Sequence, residues 1–159
     1  MQRLTIAFTA LILFVAGCSD NADDPKYRSL PPEISDLTLA PLDGSTELRA
    51  NTPIVATVQQ SKLGKLINKT TYSWKTSPID IDHKYVKGVI YEQEPQNPTD
   101  TITFANKGTY TLTFTGRYHT SGGYEQRNYS VEIPEGKVTY STPSFQYYDV
   151  KVEKTVRIK

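Results

Sequence analysis

Gly108-Thr-Tyr-Thr-Leu-Thr-Phe-Thr-Gly-Arg-Tyr118 decides how the rest of this 159-residue chain is read. Behind the Lys107-Gly108 turn, Tyr110, Leu112, Phe114 and Tyr118 fall on one face, with Gly116 in the same register. Thr109, Thr111, Thr113, Thr115 and Arg117 fall on the other. Strict alternation rich in Thr, Tyr and Phe predicts a half-buried antiparallel strand. The 11 Tyr, the 10 Pro and the lack of sustained helical periodicity after residue 17 extend that prediction to an all-β domain.

A turn glycine followed by Thr-Tyr-Thr-Leu resembles strand F of immunoglobulin-like and PKD-like sandwiches, antiparallel and two-sheeted. In that family a tyrosine, here Tyr110, opens the strand and its hydroxyl ties down the preceding corner. The neighbouring segments fit the same plan. Leu30-Pro-Pro-Glu-Ile34 forces an extended entry. Ile34, Leu37 and Leu39 form an irregular first strand up to Pro41 and the Asp43-Gly44 turn, and Leu48–Val58 a second segment with Ile54, Ala56 and Val58 on one face. These are similar to strands A, A′ and B. In Thr70–Thr76 the only tryptophan, Trp74, shares a face with Tyr72, where strand C of the family carries a core tryptophan; a ligand-stacking platform is the other reading. Tyr85–Tyr91 reads as a strand whose apolar residues are Val89 and Tyr91 beside Gly88. Thr101–Phe104 resembles strand E with Ile102 and Phe104 inward, and Asp100-Thr-Ile102 is similar to a short bacterial O-glycosylation sequon. Tyr148, Val150, Val152, Val156 and Ile158 alternate in the closing strand, broken only by Lys154. It is assigned to strand G, paired with strand F and finishing the sheet as its edge. Trp74, Tyr110, Leu112 and Phe114 are the expected core.

The first 17 residues lie outside this pattern. Arg3 precedes an apolar run, Leu4–Val15, too short for a comfortable membrane span. Val15-Ala-Gly-Cys18 then resembles the lipobox of bacterial lipoproteins, against the alternative of an ordinary secretory signal followed by a chance cysteine. The resemblance implies a signal peptide over 1–17, acylation of Cys18 and attachment to a membrane, with several acyl chains giving stable anchoring. Residues 18–29 read as a flexible tether, acidic from Asp20 to Asp24. Serine and clustered aspartates directly after such a cysteine look like the surface-export signal of lipoproteins in gut-dwelling and gliding Gram-negative bacteria. The implied location is the outer membrane, facing the cell surface or alternatively the periplasm. Residues 30–159 form the single sandwich.

Charge and chemistry narrow the function. Without Arg3 the chain holds 17 basic and 17 acidic side chains, which argues against nucleic-acid binding. One cysteine and two histidines leave little for a transition-metal site, so neither metal nor cofactor is expected. Asp80 and Asp82 alternate, yet the other ligands of a calcium loop are missing, and they read as solvated turn residues. Lys62, Lys65 and Lys69 read as a solvated face rather than an anion site. No glycine-framed serine, metal-spaced histidine pair or phosphate loop accompanies His83 or His119, so a non-enzymatic protein is expected.

About thirty residues separate strands F and G, where the family has a short turn. This elongated insertion holds the candidate ligand-binding residues Tyr118, Tyr124, Arg127, Tyr129, Tyr140 and Tyr147, with His119 and Phe145 nearby. Tyrosines beside a guanidinium can stack on and hydrogen-bond to sugars or peptides. The competing reading is a packed hairpin whose tyrosines point inward. Two functions follow: a binding module for glycan or protein working through its loop end, or a structural subunit of an envelope complex.

Overall fold

The computed structural model describes residues 26–81, 86–92, 94, 96–122 and 125–159. Residues 1–25, which hold the expected signal peptide, Cys18 and most of the expected tether, lie outside the described residues, as do Asp82, His83 and Tyr124. Among those described there are nine strands and no helix: β1 (Glu33–Pro41), β2 (Pro53–Lys62), β3 (Ile67–Ser77), β4 (Val86–Tyr91), β5 (Thr99–Thr103), β6 (Gly108–Thr120), β7 (Tyr129–Ile133), β8 (Gly136–Ser144) and β9 (Tyr147–Ile158). They form two antiparallel sheets, β1-β2-β5 and β4-β3-β6-β9-β8-β7. The result is an immunoglobulin-like sandwich in which β1, β2, β3, β5, β6 and β9 take the places of strands A, B, C, E, F and G.

Alternation places the core. Ile54, Ala56 and Val58 of β2 face Trp74, Leu112, Phe114, Val150 and Val152 from the other sheet, all with no more than traces of exposure. Trp74 meets Phe114 edge-on at 5.0 Å, and its indole N–H donates to Asp100 Oδ2 at 2.9 Å. That bond fixes Trp74 in the core and links the two sheets. Rings crowd this layer because glycine leaves room for them. A Cβ on Gly116 would lie 2.8 Å from the rings of both Phe114 and Tyr118.

Tyr110 holds the corner before β6. Its hydroxyl lies 3.0 Å from the Asn106 carbonyl and 2.5 Å from Asp80 Oδ2. Asp80 also accepts from the backbone and side-chain amides of Asn106, at 2.8 and 2.7 Å. It is thus a clamp between two connections rather than a solvated turn residue. The hydrogen bond from Tyr110 holds its carboxyl below the ordinary value, with Asn106 adding to the effect.

Three details depart from the sequence reading. Strand β9 pairs with β6 over Gly108–Ile158 to His119–Tyr147, but β8 lines its other side, so the closing strand is interior and β7 is the edge. The F–G insertion is a hairpin that widens the sheet. In β4 the buried residue is Ile90, opposite Thr70, while Val89 and Tyr91 point outward and are 49% and 53% exposed. Order also begins before the double proline. Ser29 is fully buried, its carbonyl accepting from the Tyr148 hydroxyl at 2.8 Å, and Leu30 and Lys65 exchange backbone hydrogen bonds.

Candidate functional site

Strand parity separates the insertion's aromatic residues into two groups on opposite faces of the six-stranded sheet. Tyr118 continues the inward register of β6 and is 3% exposed. Burial pushes its phenol strongly up, and its hydroxyl has no hydrogen-bond partner among the described residues. Tyr140 of β8 is also buried, and its hydroxyl accepts from the Ile34 N–H at 2.9 Å. Both were expected at a binding surface and are core residues instead. The insertion pairs directly onto β9, so its inward positions extend the existing core.

Tyr129 stacks on Tyr140, with centroids 4.6 Å apart and planes 18° from parallel, and keeps its other face open. Arg127 is tied down locally: its guanidinium meets Glu125 Oε2 at 2.9 Å, and its N–H donates to Thr142 Oγ1 at 2.7 Å. Neither reaches the one remaining described candidate, Tyr147, which lies on the outer face.

Tyr147 belongs to a different constellation, which the register of four strands assembles. Tyr91 pairs with Lys69, Lys69 with His119, and His119 with Tyr147, giving one row across β4, β3, β6 and β9. Neighbouring strands lie about 4.8 Å apart, so the row spans roughly 14 Å. One step toward the middle of the sheet, Val89, Thr71, Arg117 and Asp149 form a second row. The Arg117 guanidinium sits 4.0 Å from the Tyr147 ring centroid and makes a forked pair with Asp149, at 2.8 and 3.0 Å. His119 lies 6.0 Å from Tyr147, ring centre to ring centre.

The electrostatics suit a neutral ligand. The hydrogen bond to Asp149 raises Arg117 further, and that carboxylate cancels its charge locally. Partial burial pushes His119 down, with Lys69 and Arg117 adding to the shift and Asp149 opposing it. The imidazole is therefore uncharged near neutral pH and offers one donor and one acceptor. Flat rings, a fixed guanidinium and a neutral imidazole on an open sheet face can stack on an apolar plane and bond to hydroxyls at its rim.

Tyr91 also borders a cleft of about 110 Å3 at the same end of the sandwich, bounded by Leu63, Ile67, Ile90 and Pro98. Sequence reasoning named His119 in the same cluster as Tyr147 but missed Tyr91 and Arg117 as their partners. The signal available was parity: Arg117 and His119 lie on the polar side of β6, and Tyr147 is out of phase with Tyr148. No group of three or more His, Cys, Asp or Glu able to hold a metal occurs among the described residues. Comparison with protein-family models, with curated proteins and with solved structures finds no match to this chain.

Proposed function

We propose that this chain is a non-catalytic recognition module of a bacterial envelope, anchored through lipid on Cys18 and displayed on the outer-membrane surface, and that it binds glycan on the outer face of its six-stranded sheet. The observation that carries the reading is the row Tyr91–Lys69–His119–Tyr147 with Arg117 clamped over Tyr147. Sugar rings present flat C–H faces edged by hydroxyls, and a spaced pair of tyrosines with donors between them matches that pattern. The anchor rests on the lipobox-like Val15–Cys18, and the surface location on the acidic residues that follow it.

The test is a glycan array probed with the full chain in detergent, beside Tyr147→Ala and Tyr91→Ala variants. Binding that both variants lose, with the fold intact, supports the site. Binding that neither changes places recognition elsewhere, and silence from the parent chain rejects a glycan ligand. Protease shaving of intact cells tests display: protection in whole cells and cleavage after lysis would overturn it. The second reading, a structural subunit, is favoured by the burial of Tyr118 and Tyr140, which makes the insertion part of the scaffold.

A further inference from the structure

We propose that β7 is a self-pairing edge, through which two copies of this chain join antiparallel about a two-fold axis at Val131. Strand β7 is one of the two edge strands of the six-stranded sheet, and the three-stranded sheet does not reach over Tyr129 and Val131. In β8 the inward residues Val138 and Tyr140 are 0% and 3% exposed; opposite them in β7, Val131 and Tyr129 are 43% and 41% exposed. One short strand therefore combines an unpaired backbone edge with an apolar face that is open at Tyr129 and Val131 and partly covered at Ile133.

An added strand has two places to dock on this side of the sandwich, and they differ. The free edge of β1 is stoppered. The Tyr140 hydroxyl takes the Ile34 N–H, and Lys154 Nζ donates to the Leu37 carbonyl at 2.8 Å. Strand β7 has no such plug: among the described residues no hydrogen bond reaches its backbone from outside the β8 ladder. It contains no Lys, no Pro and no bulge, the devices that ordinarily blunt an edge.

The sequence of β7, Tyr129-Ser-Val-Glu-Ile133, indicates a second copy as the occupant. With Val131 opposite its own counterpart, Tyr129 faces Ile133 and every inward position meets an apolar residue. Outward, Glu132 meets Ser130 of the other copy and keeps Lys137 beside it in its own. Sliding by two residues one way opposes Glu132 to Glu132; sliding the other way sets Ile133 against Arg127. Only the register centred on Val131 avoids both, and like charges directly opposed are destabilising. A five-residue edge is small beside the roughly 800 Å2 per partner of a standard interface, so the pairing is concentration-dependent.

The test is sedimentation velocity of the full chain in excess detergent micelles over a concentration series. The parent chain is expected to show a monomer–dimer equilibrium, weakened at least about tenfold by Val131→Lys, which places a charge on the inner edge. Val131→Cys is expected to give a disulfide-linked dimer under mild oxidation, because facing residues lie about 5 Å apart. Ser130→Cys is expected not to, since the two copies of residue 130 would sit about 8 Å apart, and the unsubstituted chain controls for Cys18. A parent chain that stays monomeric at every concentration overturns the proposal. So does a dimer that survives Val131→Lys while Val131→Cys fails to crosslink.

Discussion

Lys154 of β9 and Asp36 of β1 meet across the open side of the sandwich, Nζ to Oδ1 at 2.8 Å. Lys154 is the one charged residue in the inward register of the closing strand, and its side chain is only 11% exposed. The same ammonium reaches the Leu37 carbonyl, so one side chain joins the two sheets and closes an edge. Lys154→Ala is expected to lower stability by about 1–3 kcal/mol in urea unfolding, because a carbonyl and a half-buried carboxylate lose their partner together. A double-mutant cycle with Asp36→Asn should return a coupling of at least about 0.5 kcal/mol; none would mean that the contact is incidental.

Two buried tyrosines should respond oppositely to loss of the hydroxyl. Tyr118→Phe removes an oxygen with no described partner and is expected to leave stability unchanged or raise it by about 1 kcal/mol. Tyr140→Phe strands the Ile34 N–H and is expected to cost about 1–2 kcal/mol. Thermal unfolding of both variants checks the pair, and a loss at Tyr118 as large as that at Tyr140 would refute the contrast.

Gly116→Ala should be among the most damaging single-methyl changes in the chain. The new Cβ would stand 2.8 Å from two rings fixed in the core, and neither Phe114 nor Tyr118 can swing to solvent. Overpacking of this kind costs about 1–3 kcal/mol. Replacing Phe114 by Leu in the same chain should recover part of the loss.

Acid should weaken the fold in two stages. His119 is held below its ordinary value of 6.5, first by burial and then by Lys69 and Arg117. The unfolded chain therefore binds the proton more readily than the folded one. The stability contributed by neutral His119 is complete above 6.5 and is lost as pH falls through the lower folded value. His119→Gln should flatten the slope of unfolding free energy between about pH 7 and pH 5. The carboxylates held low by hydrogen bonds, Asp80 by Tyr110 and Glu47 by Lys159 and Arg49, act later. Their share is present above the ordinary carboxylate range and disappears below it.

Much of the fold was legible because alternation fixes which side of a strand faces the core. Trp74, Tyr110, Leu112 and Phe114 are buried as their strands dictate, and β6 and β9 pair. The same rule already set Tyr118 beside Phe114, and only its place at the start of a long insertion suggested a ligand role. What alternation cannot give is how many strands a sheet gains on one side. That number decides whether Tyr129 is covered like Tyr140 or left open, and it depends on pairing between residues far apart in sequence. The row from Tyr91 to Tyr147 was hidden for the same reason, since its members come from four strands and meet only through register.

The lock between Ser29 and Tyr148 also determines how the molecule bears tension. A pull on the N-terminal segment arrives first at Ser29 and at the Leu30–Lys65 bridge, before β1 is loaded. Tyr148 passes that load into β9, which is hydrogen-bonded on both flanks, to β6 and β8. An interior strand thus carries the strain, and a load on the N-terminal segment is spread across the wide sheet instead of unzipping the narrow one.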